Sequence, residues 1–398
     1  MLSVEDTKRV INQHTPSPVI EEVFVPCSRS YNCAEDVHSS LNFPNKPLSM
    51  RDGYGWNTKW RFDKKLTLKN LILTPGEMVN LELQEYETCY ITTGGFVPHI
   101  FDTVVMMEDV TVVNGVVTLK EEVKTYKTGQ YIRKVGSDVH QGELLVKKGE
   151  DITSVIIAIL ESCRVKKIKC YKKPIVLYFS NGNELVSIMS EESEDMDKII
   201  DTNSSMLINL LQDDKVVDYV SDKLIVKDSL SDIEAILNDQ LSDVIISSGG
   251  SSVGQFDLIK SALIRTGYEI LVTKVAMMPG KPFIFAKKAQ KWFFGLPGNP
   301  VASFVCYQIF VKPFLRKMSG YGVEEVNKKF TLEYDTKSSA FDGRMEFQRV
   351  FVDEKNYAHS TGDQASSRMM SLREANALIK IYSGKSYPKG TQVEGFLL

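Results

Sequence analysis

Six small residues and a carboxylate follow an apolar strand in the segment ISSGGSSVGQFD, residues 246 to 257. Backbone N–H groups of such a loop converge on an anion at the start of the next helix, and glycine lets the ligand approach closely. A phosphate loop commonly ends on lysine, whereas this one ends on Asp257. Because a carboxylate repels an anion unless a cation lies between them, the segment predicts a phosphate ester bridged by Mg²⁺. A flexible strand-to-helix turn is the alternative.

Two further carboxylates occupy comparable positions. Glu184 follows the apolar run 175–179, and Asp228 follows the run 224–226. Ligands of parallel sheets bind at the carboxyl ends of the strands. We therefore expect Glu184, Asp228 and Asp257 to share one edge of a sheet, with Asp228 and Asp257 as the Mg²⁺ ligands. Taken singly, each acid is also explained as a helix cap or a surface residue.

Two lysines supply the opposite charge. Lys281 lies between two prolines in MMPGKP, residues 277–282, and Lys274 precedes that segment. Such stiff chain holds an ammonium group ready for an anion, and a charge-assisted hydrogen bond of this kind contributes about 1.5–3 kcal/mol. The alternative is a connector with exposed lysines. In the following LPGNP segment, Asn299 and Pro300 are typical of the cap and first residue of a helix. ITTGG, residues 91–95, is a second small-residue turn.

The elements that must position these residues follow from the apolar pattern. Residues 1–60 are predicted to combine a short helix with irregular, Pro- and Asn-rich chain. Residues 61–140 are predicted to be mostly strands, with Asn114-Gly115 as a hairpin turn. From residue 174 strands and helices alternate, which indicates a parallel sheet covered by helices. Among these, one helix is predicted from Leu230 to Leu241 and another from Pro300 to about Gly320. Residues 325–398 return to strands and suggest a small β-barrel or sandwich.

Composition excludes several classes of protein. The chain has 398 residues, 43% of them hydrophobic, and a formal net charge of −3, which argues against nucleic acid as a partner. The six cysteines form no CxxC pair, and the histidines form no HExxH zinc motif. The start of the sequence lacks the apolar stretch of a signal peptide, and no apolar run is long enough to span a bilayer. We therefore expect a cytoplasmic protein with no membrane partner.

Eight motifs occur in a recognisable order between about Ser49 and Ala377. They are SMRDGYGW, ITTGG, IRKVGSD, FSNGNEL, ISSGGSSVGQFD, PGKP, GLPGNP and GRMEFQR…STGDQASSRMMSLREANAL. In these motifs the chain resembles the MoeA family of molybdopterin molybdenumtransferases, which is also present as the E domain of gephyrin.

The resemblance implies a multidomain α/β protein that forms a homodimer. Its parts are an elongated linker or helical domain (1–60 and 141–170), a β-rich domain (61–140), a MogA-like three-layer α/β domain with a parallel-rich sheet (171–322) and a small C-terminal β-barrel (323–398). The implied reaction is Mg²⁺-dependent insertion of molybdenum from molybdate into adenylylated molybdopterin with release of AMP. The molybdopterin adenylyltransferase and apo-molybdoenzymes are the further partners. A molybdopterin adenylyltransferase, a cofactor-binding scaffold and an inactive paralogue remain as alternatives.

The resemblance also implies a set of site residues. The catalytic residues are Asp257, Asp228, Glu184, Lys274 and Lys281. The binding residues are Asp52, Thr93, Arg133, Asp138, Ser248, Gly249, Gly250, Ser251, Ser252, Gly254, Pro297, Gly298, Asn299, Arg344 and Ser366. Asp52, Thr93 and Arg133 are far from the α/β domain in sequence, so the cleft is expected between the subunits of the dimer. Met278 and Ala302 depart from the family, which usually has a lysine and a serine at these positions.

Overall fold

Two compact units make up the computed structural model of the chain. It describes residues 1–60, 64–77, 82–123, 125–222, 224–249, 255–322, 327–340 and 342–398. The first unit comprises Met1–Glu22, Ser30–Ala34 and Lys169–Leu398, and the second comprises Val23–Arg29 and Glu35–Ile168.

The helices carry side-chain caps at several N-termini, among them Ser3, Thr153 and Asp201. In chain order the helices of the described residues are α1 (Val4–His14), α2 (Ser154–Ser162), α3 (Thr202–Asp213), α4 (Leu230–Leu237), α5 (Gln255–Arg265), α6 (Pro300–Cys306), α7 (Lys312–Met318) and α8 (Met370–Glu374). Of these, none combines the length and apolar character needed to cross a membrane.

The strands fall into three larger sheets and several short pairs. The first eleven are β1 (Ile20–Phe24), β2 (Val37–His38), β3 (Leu48–Ser49), β4 (Gly53–Trp56), β5 (Leu66–Leu73), β6 (Glu87–Ile91), β7 (Thr103–Met106), β8 (Val110–Val113), β9 (Val116–Leu119), β10 (Ile132–Arg133) and β11 (Leu144–Val146). The next eleven are β12 (Lys167–Tyr171), β13 (Ile175–Asn181), β14 (Leu185–Val186), β15 (Ile199–Ile200), β16 (Tyr219–Val220), β17 (Ile225–Val226), β18 (Val244–Gly249), β19 (Glu269–Lys274), β20 (Met277–Met278), β21 (Pro282–Lys288) and β22 (Lys291–Leu296). The last are β23 (Lys328–Leu332), β24 (Thr336–Lys337), β25 (Met345–Val352), β26 (Tyr357–Ser360), β27 (Ala377–Ile381), β28 (Ser386–Tyr387) and β29 (Gln392–Leu397).

The first unit contains the predicted α/β sheet. Its strand order is β16-β13-β18-β22-β21-β19, with β17 also paired to β13. Strands β16, β17, β13, β18 and β22 run parallel, and the β21–β22 hairpin makes the far edge antiparallel. Apolar residues of α1, α3, α6 and α7 cover one face, and those of α4 and α5 cover the other. The three-layer, parallel-rich prediction is confirmed.

The N-terminal helix α1 packs within this unit. Val4 and Ile11 of α1 are buried in the α/β core. The backbone of Leu2 donates to the carbonyl of Lys274 and accepts from the N–H of Ala276. The apolar face of the amphipathic α1 is therefore covered by the sheet domain. The four-domain division with its boundaries stays a prediction.

A closed barrel forms the C-terminal part of the first unit. The strand order is β25-β26-β23-β29-β27, and β27 pairs back to β25, so five strands close on themselves. Phe330, Leu332, Val350 and Ile379 are among the buried residues of its core. This is the barrel that the sequence predicted. Strand β20 of the MMPGKP segment extends it by pairing with β25, with Met278 opposite Glu346.

The second unit contains a six-stranded sheet of order β7-β4-β6-β5-β9-β8. Asn114 and Gly115 have φ of 47° and 73° and form the predicted turn between β8 and β9. Strand β4 lies inside this sheet, although the sequence indicated irregular chain there. The reason is a close approach: a Cβ at Gly53 would lie 2.0 Å from the carbonyl oxygen of Val105. Only glycine fits between such strands, and glycine carries no strand signal.

Two helices differ from the sequence pattern. The helix predicted from Leu230 to Leu241 ends at Leu237, and the Leu241 side chain is 79% exposed. The helix predicted from Pro300 to about Gly320 is interrupted by a π-helical turn over Tyr307–Val311. An apolar residue at helical spacing is thus not enough to extend a helix past its last buried turn.

Candidate functional site

Four strands of the α/β sheet end side by side. Asn181 of β13 is in register with Val226 of β17 and with Gly249 of β18, and Ser248 pairs with Leu296 of β22. The segments that follow these ends carry the predicted site residues. Glu184, Asp228 and the LPGNP segment therefore follow strands that end at one edge of the sheet, where β18 also ends at Gly249. Ligands of such sheets bind at this edge.

Asn181 ties two of these ends together. Its side chain is fully buried and its Nδ2 donates to the carbonyls of Val226 (3.1 Å) and Lys227 (3.2 Å). The next turn is joined as well, because Asn183 Oδ1 accepts from the N–H of Asp228 at 3.1 Å. Asn181 Oδ1 has no hydrogen-bond partner in the part of the chain that the structure describes. A buried acceptor without a partner is rare and marks this edge as a place for a bound water or ligand.

Gly249 ends β18 with a φ of 104°, a backbone conformation that residues other than glycine seldom adopt. A Cβ there would lie 2.2 Å from the carbonyl oxygen of Asn181. The glycine is thus required by the contact between two strands. Ser248 beside it is 1% exposed, and its hydroxyl bonds to Tyr178 and to Ser180. The Ser248 hydroxyl therefore lies in an internal network rather than on the ligand side. The other predicted loop residues, Gly250, Ser251, Ser252 and Gly254, lie outside the described residues.

The three predicted acids are not gathered into one cluster. Asp257 stands on the first turn of α5, its side chain is 69% exposed, and its Oδ1 lies 3.6 Å from Lys260 Nζ. Glu184 is exposed and its carboxylate folds back over Gly182. No group of three His, Cys, Asp or Glu side chains within the described ranges is placed to hold a metal ion. Mg²⁺ commonly takes only one or two protein carboxylates and completes its shell with substrate phosphates and water. Asp228 and Asp257 are the two carboxylates that the sequence predicted for such a site.

A cavity of about 410 Å³ lies between the α/β sheet domain and the C-terminal barrel. The predicted residues Lys281, Pro297, Asn299, Arg344 and Ser366 all line it. The structure thus brings together residues from the PGKP, LPGNP, GRMEFQR and STGDQASS motifs. Met278 and Ala302, the two departures from the family, line the same cavity. Lys274 is exposed at the end of β19.

Hydrogen bonds orient the polar side chains that line this cavity. Asn299 caps α6 through its Oδ1, which accepts from the N–H of Val301, and its Nδ2 donates to Ser366 Oγ at 3.3 Å. Arg344 Nε donates to Asp342 Oδ1 at 2.7 Å. Within the described residues Lys281 is exposed and forms no ion pair. The cavity therefore offers an ammonium group, a guanidinium group and two polar side chains to an anion.

Arg349 is a residue of this site that the sequence reasoning missed. Its side chain is 1% exposed, and it donates to Ser371 Oγ (3.0 Å) and to the carbonyl of Ala365 (3.1 Å). Burial lowers the pKa of Arg349, and the charges of Glu346 and Asp363 oppose that shift. The guanidinium thus holds the segment that carries Ser366. The arginine within the largely apolar strand MEFQRVFV is the signal that could have identified it.

The second unit contains two further pairs of predicted residues. Asp52 Oδ1 accepts from the N–H of Thr93 at 2.6 Å and from its hydroxyl at 3.0 Å. Arg133 forms an ion pair with Asp138, and its guanidinium lies 5.5 Å from the ring centre of Phe43. Residues separated by 41 positions in sequence, Asp52 and Thr93, are therefore direct neighbours. All four side chains are at least partly exposed and available to a ligand.

Comparisons with known proteins agree with this arrangement. Residues 2–163 match the MoeA N-terminal region (domain I and II), residues 178–317 a probable molybdopterin binding domain, and residues 335–398 the MoeA C-terminal region (domain IV). The chain is 30% identical to a molybdopterin molybdenumtransferase of Haemophilus influenzae over 95% of its own length and 94% of that protein. It is 31% identical to gephyrin of Dictyostelium discoideum over 95% of its length, but spans only 59% of that protein. A crystal structure of a molybdopterin biosynthesis MoeA protein from Pyrococcus horikosii superposes with a TM-score of 0.73 at 27% identity, over 100% of this chain and 99% of that one.

Proposed function

Since the chain belongs to the MoeA family of molybdopterin molybdenumtransferases, we propose that it inserts molybdenum from molybdate into adenylylated molybdopterin and releases AMP. The observation that carries this proposal is the 410 Å³ cavity beside the strand ends of the α/β sheet. The sheet edge proposed to bind a phosphate and the cavity lined by cationic side chains belong to the same unit. The proposed reaction needs both, because it uses a pyrophosphate and an oxyanion.

Molybdate is a tetrahedral dianion that takes the same donors as phosphate. We propose that it binds in the cavity, where Lys281 and Arg344 supply positive charge and Asn299 and Ser366 supply hydrogen bonds. Glu346 also lines the cavity, but its carboxylate is 2% exposed and accepts from the N–H of Ser339 at 2.7 Å and from the Ser338 and Ser339 hydroxyls, both at 3.1 Å. That carboxylate is directed to internal donors, which limits its repulsion of the anion.

The pyrophosphate of the second substrate is proposed to lie at the strand ends, against the ISSGG segment. In this proposal Asp228 and Asp257 hold Mg²⁺ together with the phosphate oxygens, and the ion supplies charge neutralisation at the bond to AMP. Glu184 and Lys274 stand at the margins of this edge and orient the same group. Asp257 has only Lys260 as an ion-pair partner within the described ranges, so its carboxylate is free to turn toward a ligand.

We further propose a homodimer in which the Asp52–Thr93 and Arg133–Asp138 pairs of one subunit complete the site of the other. Both pairs are exposed, and together they offer a hydroxyl, a guanidinium and two carboxylates. A molybdopterin adenylyltransferase that supplies the adenylylated substrate and apo-molybdoenzymes that receive the product are the proposed partners.

Incubation of the purified protein with adenylylated molybdopterin, Mg²⁺ and molybdate tests the proposal. AMP release that depends on molybdate supports it. Release of pyrophosphate from ATP and molybdopterin supports an adenylyltransferase instead, and no turnover in either assay favours a scaffold or an inactive paralogue.

The substitution Asp257→Asn tests the role of the acid. We expect it to abolish AMP release while stability changes by less than about 1 kcal/mol, because an exposed ion pair such as that with Lys260 contributes little. Asp232→Asn is the matched control, since Asp232 is an exposed acid on the first turn of the neighbouring helix α4. Full activity of the Asp257→Asn protein contradicts the proposed metal-bridged phosphate.

A further inference from the structure

A chain of buried polar side chains lies beneath the end of β18. The hydroxyl of Tyr178 bonds to Ser180 (3.0 Å) and to Ser248, and Ser180 donates to Asp201 Oδ1 at 2.9 Å. None of these four side chains is more than 7% exposed. Burial raises the pKa of the Tyr178 hydroxyl, which therefore stays protonated and able to donate. The network connects the residue before the ISSGG glycines to a carboxylate that no assigned function uses.

The carboxylate of Asp201 also organises the start of helix α3. It accepts from the N–H of Ser204 at 3.1 Å and from the Ser204 hydroxyl, so it is the helix cap. Two residues further on, Asn203 Nδ2 donates to the carbonyl of Gly298 at 2.8 Å. One helix start is therefore bonded to the end of β18 on one side and to the LPGNP segment on the other.

This network constrains the core more strictly than apolar packing does. An unpartnered buried hydroxyl or carboxylate is strongly unfavourable, and apolar side chains fill the remainder of the same core. The hydroxyls of Tyr178, Ser180, Ser204 and Ser248 and the carboxylate of Asp201 all have partners, so a displacement leaves a buried group unpaired. The network connects two backbone segments, the end of β18 and LPGNP. These segments border the proposed pyrophosphate and molybdate sites.

From these contacts we infer that Asp201 is a positioning residue, which sets the distance between the end of β18 and the LPGNP segment through Ser180 and Asn203. The inference rests on the proposed function, because the two segments matter together only if one reaction uses both. It predicts that a change at Asp201 disturbs both segments, although Asp201 itself lies beneath the site.

The test compares Asp201→Asn with Asp214→Asn, at opposite ends of the same helix. Asp214 is also a largely buried carboxylate, with a side chain 14% exposed, and it accepts from Tyr307 OH at 2.5 Å and pairs with Lys312 Nζ at 2.8 Å. Its partners, Tyr307 and Lys312, belong to neither of the two segments. We expect Asp201→Asn to lower the kcat of AMP release by about tenfold to a hundredfold, as small misplacements of reacting groups do. Asp214→Asn is expected to lower Tm while kcat stays unchanged.

Hydrogen exchange gives a second measurement that does not depend on turnover. In the Asp201→Asn protein, peptides covering 244–249 and 296–303 are expected to exchange faster, and in the Asp214→Asn protein they are not. If wild type releases no AMP, the proposed function fails while the exchange comparison still decides the positioning role. Wild-type exchange in both peptides for Asp201→Asn, or a loss of kcat no larger than that of Asp214→Asn, overturns the inference.

A second pair of variants covers the case in which Asp201→Asn does not fold. Ser180→Ala removes only the hydroxyl between Asp201 and Ser248 and is expected to give the same faster exchange at 244–249. Ser319→Ala is its control, because Ser319 is also buried and donates to the carbonyl of Val216 at 2.6 Å, at the far end of α7. Equal exchange at 244–249 in these two variants contradicts the inference.

Discussion

Gly249→Ala is the sharpest test of the strand edge. Gly249 has a φ of 104°, and a Cβ at this position would lie 2.2 Å from the carbonyl oxygen of Asn181. Ordinary contact begins at 3.4 Å, so 3.4 Å minus 2.2 Å leaves a 1.2 Å overlap that the two strands must relieve. The obstructing atom belongs to the backbone of β13 and cannot rotate away. The substitution therefore pushes β18 away from β13 where both strands approach the proposed ligand.

The cost has two parts. A left-handed conformation costs a residue with a Cβ about 1–2 kcal/mol, and separating the strand ends costs about another 1 kcal/mol for a weakened backbone hydrogen bond. Gly384→Ala isolates the first part, because Gly384 has a φ of 70° but its Cβ would meet no heavy atom within 4 Å. The difference between the two variants then contains the contact with Asn181 together with the difference in backbone cost between φ of 104° and 70°.

Differential scanning calorimetry and AMP release are the two assays. We expect Gly249→Ala to lower Tm more than Gly384→Ala does, at about 2–4 °C for each kcal/mol. A displacement of about 1 Å at the reacting groups is also expected to reduce AMP release about a hundredfold, whereas Gly384→Ala leaves it unchanged. Equal Tm and equal activity of the two variants would show that the β13–β18 contact is not what requires glycine.

Three further predictions concern other parts of the chain. Arg349→Leu removes two buried hydrogen bonds of a charged group and is expected to cost about 3 kcal/mol in urea denaturation, with weaker molybdate binding. All six cysteines lie in the described ranges and only Cys27 is exposed, so a thiol reagent is expected to modify Cys27 alone until the protein unfolds. The N–H of Tyr357 and the ring of His359 lower the pKa of the Asp353 carboxyl. Its stabilisation is therefore present at neutral pH and lost as pH falls through that lowered pKa, so the Tm difference between wild type and Asp353→Asn is expected to shrink below pH about 3.9.

Much of the α/β domain could be predicted from sequence because its signals are local. The apolar run before residue 180 and the run that ends in ISSGG became β13 and β18, and Asn299-Pro300 became the cap and first residue of α6. Turn chemistry was equally informative, since Asn114-Gly115 takes the two positive φ values of a tight hairpin. Each of these signals depends only on residues within a few positions of one another.

The features that sequence reasoning missed all depend on distant neighbours. Strand β4 contains two glycines in four residues, because a Cβ at Gly53 or Gly55 would collide with the carbonyl of Val105 or the ring of Phe101, and it is a strand through its pairing with β6 and β7. Arg349 attracts notice as a charge in an apolar strand, but its role depends on Ser371 and the loop around Ala365. These contacts join residues that are far apart in sequence, so no periodic pattern of apolar residues predicts them.

Asp257 combines a position that the sequence predicts with a side-chain direction that it does not. The sequence placed Asp257 beside an anion loop and inferred a bridging cation, and the structure places it on the first turn of α5 with Lys260 nearby. The position of Asp257 at the sheet edge follows from the strand order, whereas the direction of its carboxylate depends on the groups around it. An aspartate that takes part in Mg²⁺ binding only with the substrate phosphates has no reason to point inward before they arrive. The buried acid beneath the same edge, Asp201, has its partners already and keeps one orientation. Under the proposed function, Asp201 therefore positions the backbone of the site, and the Asp257 carboxylate turns to the ligand when it binds.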